Sequence, residues 1–161
     1  MESTTERLEI RREVEIAASP ETVWELLVDP EKATAWWGRV VTLELHVGGR
    51  LRIEVTARSV AAGTVVEVDP PRRLVYTFGW EAGGGGPDVL PAGSSTVEID
   101  LIPAGSGTTL RLVHTGLPDE AAAGQHGAGW DHYLGRLAVA AEGGDPGPDP
   151  WAASATENES S

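Results

Sequence analysis

The stretch PDEAAAGQHGAGWDHYLGRLAVAAE, residues 118–142, decides how the rest of the chain must be arranged. Ala123, His126, Trp130, Tyr133, Leu134, Leu137 and Ala141 recur in it at helical spacing, which predicts one long helix beginning near Pro118. Gly124, Gly127, Gly129 and Gly135 interrupt it, and each weakens a helix by up to ~1 kcal/mol relative to alanine. A helix so weakened persists only where tertiary packing holds it. It must therefore lie against something large, and the only candidate upstream is a sheet.

Residues 40–115 read almost entirely as strand. Val41, Leu43 and Leu45 alternate before a turn at Gly48-Gly49, and Leu51, Ile53 and Val55 alternate after it. Another strand spans 63–68 and stops at Asp69-Pro70-Pro71. Leu74, Tyr76, Phe78 and Trp80 share one face of the next, and a glycine- and proline-rich loop, 82–94, separates it from Val97, Ile99 and Leu101. A turn at 103–107 leads into Leu110, Leu112 and His114. Six strands in a row with short connections predict an antiparallel meander. Alternate turns of a meander share an edge, so the connections near 57–62, 81–95 and 115–119 are expected at one end. The longest of them, 81–95, is expected to form the mouth of a pocket.

Before the meander, Leu8, Ile10, Val14 and Ile16 alternate with Glu9, Arg11, Glu13 and Glu15 as a half-buried strand. Arg12 breaks the apolar parity, which fits a position near a strand end or, less commonly, a side chain reaching into the pocket. The natural place for this strand is beside the last one, which makes seven. Ser19-Pro20-Glu21 is a helix start, with a capping serine, proline at the first helical position and an acid at the positive end of the dipole. Val23, Trp24, Leu27 and Val28 supply its buried stripe. Asp29-Pro30-Glu31 repeats the signal, so a sharp corner at Asp29 and a second short helix ending around Trp36-Trp37-Gly38 are expected. After Glu142 the chain reads GGDPGPDPWAASATENESS, too poor in bulky apolar residues to build a core. The expected organisation is a flexible segment at 1–7, one α+β domain at 8–142 and a disordered tail at 143–161, from which Trp151 could dock back. Within the domain a seven-stranded curved antiparallel sheet wraps the C-terminal helix.

Composition narrows the functional classes. At 161 residues the chain suits one domain with a real core. Six tryptophans exceed what such a core needs, so some are expected to line a cavity. A net charge of −13 argues against nucleic acid and against anionic membrane surfaces. The sequence has no cysteine, which removes disulfides and thiolate chemistry. The charged start MESTTERLEIRREVEI is unlike a signal peptide, and no apolar run approaches the ~18 residues of a membrane span. A cytoplasmic protein is the expectation, with no cofactor or metal called for and a homodimer compatible with the pattern.

A curved sheet gripping one helix leaves space that large side chains must fill. Here the helix offers alanine and glycine beside Trp130 and Tyr133, a mixture that predicts a residual cavity. Its walls should come from Tyr76, Phe78, Trp80, Leu112 and His114 on the sheet and from His126, Trp130 and Tyr133 on the helix. Trp36 and Trp37, adjacent in a helix, point ~100° apart, so at most one faces the cavity squarely; the pair reads equally as a core plug or as ligand wall. His114 and His126 could serve as acid, base or hydrogen-bond donor, although a satisfied structural histidine is the commoner case. Tyr76 and Tyr133 need hydrogen-bond partners once buried, from protein or ligand, and an internal bond is the commoner outcome. His126 and His132 diverge around the helix, and His46 lies elsewhere in the sheet, so zinc is not expected.

SPETVWELLVDPEKATAWWG, VGGRLR, DPPRRLVYTFGW, SSTVEIDLIPAGSGTTLRLVHTGLPD and HGAGWDHYLGRL occur in the order found in the SRPBCC, or START-like helix-grip, superfamily. Within it the chain most resembles the bacterial branch similar to the C-terminal domain of the heat-shock-protein-90 ATPase activator, over residues 8–142. Leu51 stands where many relatives have an aromatic residue. The resemblance implies a hydrophobic ligand cavity between sheet and last helix, and no invariant catalytic set. Three functions follow as expectations. The leading one is binding of a small hydrophobic molecule for sequestration, transport or sensing. The second is a cyclase or dehydratase using pocket His and Tyr. The third is a chaperone-associated interaction domain with a place in a stress response.

Overall fold

The computed structural model describes residues 8–38, 40–55, 59–81 and 90–147. The expectations for residues 1–7, for Trp151 and the tail beyond 147, and for the centre of the 81–95 loop lie outside these residues. Ten elements follow in order: β1 (Leu8–Ile16), α1 (Pro20–Val28), α2 (Pro30–Ala33), β2 (Val40–Leu43), β3 (Arg50–Glu54), β4 (Val60–Asp69), β5 (Arg73–Phe78), β6 (Ser95–Ala104), β7 (Gly107–Leu117) and α3 (Glu120–Ala141). The seven strands form one sheet in the order β1-β7-β6-β5-β4-β3-β2, with antiparallel neighbours throughout. The meander and the return of β1 to the side of β7 are those the alternation predicts.

Local chemistry sets the corners. Ser19 caps α1 through Thr22 N, and Asp29 ends α1 while its carboxylate accepts from Glu31 N at 2.9 Å to start α2. α2 is shorter than its start signal suggests. After Ala33 the bonds tighten, with Thr34, Ala35 and Trp36 each donating to the carbonyl three residues back, a 3₁₀-type ending. It carries the chain to Trp37. Asp119 caps α3 through Ala122 N at 2.9 Å.

Two strands end sooner than the alternation implies. β2 stops at Leu43, leaving Leu45 and Val47 exposed. β5 stops at Phe78, and Trp80 instead forms isolated bridges to Ala61 and Pro91. The crossing is close: a Cβ on Gly79 would lie 1.7 Å from the Pro91 carbonyl oxygen. Ala62 N donates to Gly79 O, and Trp80 N to Leu90 O, both at 2.9 Å. Leu90, inside the loop read as a pocket mouth, is fully buried.

The inner face of the sheet carries the core. Leu51 and Ile53, Ala61 and Val65, Leu74, Tyr76 and Phe78, Val97, Ile99 and Leu101, and Leu110 and Leu112 are all withdrawn from water. On the outer face Arg73 is ringed by Glu67, Glu98 and Asp100. α3 lies against β1 and β7, with α1 beside it.

Arg12 explains how α3 approaches β1. It sits in mid-strand on the inward parity, not near an end, and its Nε donates to Asp131 Oδ1 on α3 at 2.6 Å. The guanidinium passes over Gly127, where a Cβ would meet it at 2.8 Å. Arg136 fastens the other side of α3. It donates to the carbonyls of Trp36 at 3.1 Å and Gly147 at 2.9 Å, so residues 143–147 return across the α2 turn.

Candidate functional site

Seven of the ten predicted site residues come together in one cluster of rings between the sheet and α3. β5 contributes Tyr76 and Phe78, with centroids 6.4 Å apart. Phe78 is its hub, meeting Trp80 at 5.6 Å, His114 at 5.3 Å, Trp130 at 6.1 Å and His126 at 6.3 Å. Trp37 closes the other flank, 5.8 Å from Trp130 and 6.3 Å from Tyr76. These separations suit offset and edge-to-face aromatic packing.

The two tryptophans face different neighbours. Trp36 stacks on Trp37 at 5.0 Å and turns its indole N–H to the Leu26 carbonyl of α1, 2.8 Å away. It is a plug that docks the helical corner. Trp37 packs against the cluster instead. Tyr133 is buried on α3 and sits edge-on to His132 at 4.6 Å. Leu112 is fully buried two residues before His114 on the same face of β7.

The two interior histidines are bound into a crossed network. Trp130 Nε1–H donates to His114 Nδ1 at 3.0 Å. His114 Nε2–H then donates to Ser95 Oγ at 2.7 Å, and the Ser95 hydroxyl donates to the Phe78 carbonyl at 2.7 Å. Trp80 Nε1–H donates to His126 Nε2 at 2.9 Å, and His126 Nδ1–H donates to Ala122 O at 2.8 Å. An indole can only donate, so the partners settle both tautomers: Nε2–H for His114 and Nδ1–H for His126. All four imidazole nitrogens are committed. Burial, with the nearby His126 adding to it, lowers the His114 pKa to about 3. Burial lowers His126 as well, opposed in part by its bond to the Ala122 carbonyl. Both rings are neutral at physiological pH.

Ser95 was not singled out from sequence, although a signal existed. It lies on the apolar parity of Val97, Ile99 and Leu101 and directly across from Phe78. A polar side chain at such a position needs an interior partner. Tyr76 departs from the commoner outcome for a buried phenol. Its hydroxyl is fully withdrawn from solvent and finds no hydrogen-bond partner among the described residues. Burial raises its pKa, so it stays protonated.

A separate cleft of about 330 Å³ lies along β1 and β7, lined by Arg11, Arg12, Glu13, Arg111, Leu112 and Val113. Its arginines are engaged with Glu9, Asp131 and Glu13 respectively, so it offers no unpaired cation. Among the described residues, no group of three His, Asp or Glu converges to hold a metal. No described helix is long and apolar enough to cross a membrane.

A seven-stranded antiparallel sheet around a C-terminal helix, with two short helices after the first strand, is the helix-grip architecture of the SRPBCC superfamily. Residues 17–142 match the family model described as "Activator of Hsp90 ATPase homolog 1-like protein", and the chain belongs to that family. Among solved structures it is similar to an AHSA1-like protein from Rhizobium etli, at 47% identity over 94% of this chain and 92% of the other, with a TM-score of 0.73. It is also similar to DynU16, a protein of the dynemicin biosynthetic locus, at 25% identity and TM-score 0.72, covering 86% of this chain and 48% of that one. The Aha1 dimer from Colwellia psychrerythraea shares the fold at 18% identity and TM-score 0.72, covering 85% and 98%. No curated protein matches the chain.

Proposed function

We propose that the protein binds a small hydrophobic molecule between the inner face of the sheet and α3, and holds it without transforming it. One observation carries this reading. The rings of Trp37, Phe78 and Trp130 gather between the sheet and α3, while all four nitrogens of His114 and His126 are already bonded within the protein. Ring faces favour apolar and aromatic ligands. A general acid or base needs a nitrogen within reach of the reacting atom, and here each would first have to break a buried hydrogen bond. The cyclase or dehydratase alternative is therefore the weaker one. The chaperone-associated alternative rests on the family's description alone.

The test is direct. Purified protein is extracted with organic solvent and examined by native mass spectrometry, and tryptophan emission is followed during titration with 1-anilinonaphthalene-8-sulfonate and a panel of neutral aromatics. An apolar molecule in the extract, or saturable changes in emission, supports the reading. An empty extract together with flat titrations refutes it.

A further inference from the structure

Among the described residues, the Tyr76 hydroxyl is the exception in an otherwise paired set of fully buried side-chain polar atoms. Trp36, Trp80 and Trp130 donate to Leu26 O, His126 and His114. Ser95 donates to Phe78 O, and Thr108 to Ala18 O at 2.7 Å. Among the described residues, Tyr76 Oη is the fully buried side-chain polar atom without a partner. Burying an unpaired hydroxyl opposes folding, and phenylalanine would fill the same volume without it. The hydroxyl stands on the inner face of β5, on a ring packed against Trp37 and Phe78 in the cluster that faces α3.

We infer that Tyr76 is the polar anchor of the binding site, its hydroxyl donating a hydrogen bond to a neutral acceptor, such as a ketone, ester or ether oxygen, on an otherwise apolar ligand. This rests on the ligand-binding reading above and adds the chemistry that reading lacks. The acceptor is neutral because the fully buried polar set among the described residues contains no lysine or arginine, and His114 and His126 are spent on internal bonds. A carboxylate drawn into this interior would be left without a counter-charge.

Three probes of similar shape separate the outcomes by equilibrium dialysis: diphenylmethane without an acceptor, benzophenone with a neutral one, and diphenylacetate with an anion. Wild-type protein should prefer benzophenone to diphenylmethane about tenfold, the worth of one hydrogen bond in a dry site, and should exclude diphenylacetate. Tyr76→Phe should bind the two neutral probes alike and melt no lower than wild type. A second readout needs no variant: the carbonyl stretch of bound benzophenone should move to lower frequency in wild-type protein. Equal binding of the neutral probes by wild type overturns the inference and leaves the binding reading intact. So does a preference that survives in Tyr76→Phe, uptake of diphenylacetate as strong as that of benzophenone, or an unshifted carbonyl. A variant that melts several degrees lower overturns it too, because the hydroxyl would then be paired in the free protein. Failure of all three probes to bind removes the inference together with the reading beneath it.

Discussion

Mild acid should destabilise this domain between about pH 7 and pH 5, and His114 sets the size of the effect. In the unfolded chain its imidazole has a pKa of ~6.5. In the fold, burial and the neighbouring His126 hold it at about 3. The folded pKa is depressed, so the unfolded state binds more protons between these values. The stability gained from a neutral His114 is complete above ~6.5 and is lost as pH falls towards 3. Integrating the proton difference from pH ~7 to ~5 gives a loss of about 2 kcal/mol from this residue, a figure that needs only a folded pKa well below 5. His126, lowered by burial, acts with the same sign and adds to it. Urea unfolding followed by circular dichroism at about pH 7, 6 and 5 measures the loss. Imidazole carbon and nitrogen shifts report in parallel whether His114 keeps its neutral Nε2–H form. A stability that is flat or rising towards pH 5, or a His114 that titrates near 6.5, would refute the network as described.

Five further substitutions probe the same fold. Ser95→Ala removes the acceptor of His114 Nε2–H and the donor to Phe78 O; the ring cannot switch tautomer because Nδ1 faces the Trp130 donor, so a loss of ~1–3 kcal/mol is expected in urea unfolding. Gly124→Ala and Gly135→Ala point their new methyls into open space and should each stabilise α3 by ~0.5–1 kcal/mol. Gly127→Ala should gain less than either, since its methyl displaces the Arg12 guanidinium from Asp131. Gly79→Ala drives a Cβ into the Pro91 carbonyl, and a fall of well over 10 °C in melting temperature, or loss of soluble protein, is expected.

What the sequence made legible follows from the range of each signal. Period-2 alternation and paired Pro-acid helix starts are local, and they were enough for seven strands, two short helices and the antiparallel order. The glycine-weakened helix at 118–142 was enough to place a sheet beneath it. Long-range pairings were harder to read. Arg12 looked like a parity error because its partner, Asp131, lies 119 residues away and its path depends on the missing side chain at Gly127. Trp36 and Trp37 could not be told apart until the 3₁₀-type ending of α2 fixed which indole reached Leu26 O. Which rings gather between the sheet and α3 was readable from parity. The commitment of both histidines, and the unpaired hydroxyl of Tyr76, depend on angles and distances that no spacing encodes.

The most direct test of the central claim, that the ring cluster under α3 is a binding site for apolar molecules, is the indole N–H region of a ¹⁵N–¹H correlation spectrum during titration with neutral aromatics. The account predicts saturable shifts at Trp37, Trp80 and Trp130, whose rings belong to the cluster. The Trp36 resonance, held on the Leu26 carbonyl, should move least. Indole signals that stay fixed across the series, or that respond at Trp24 alone, would contradict it.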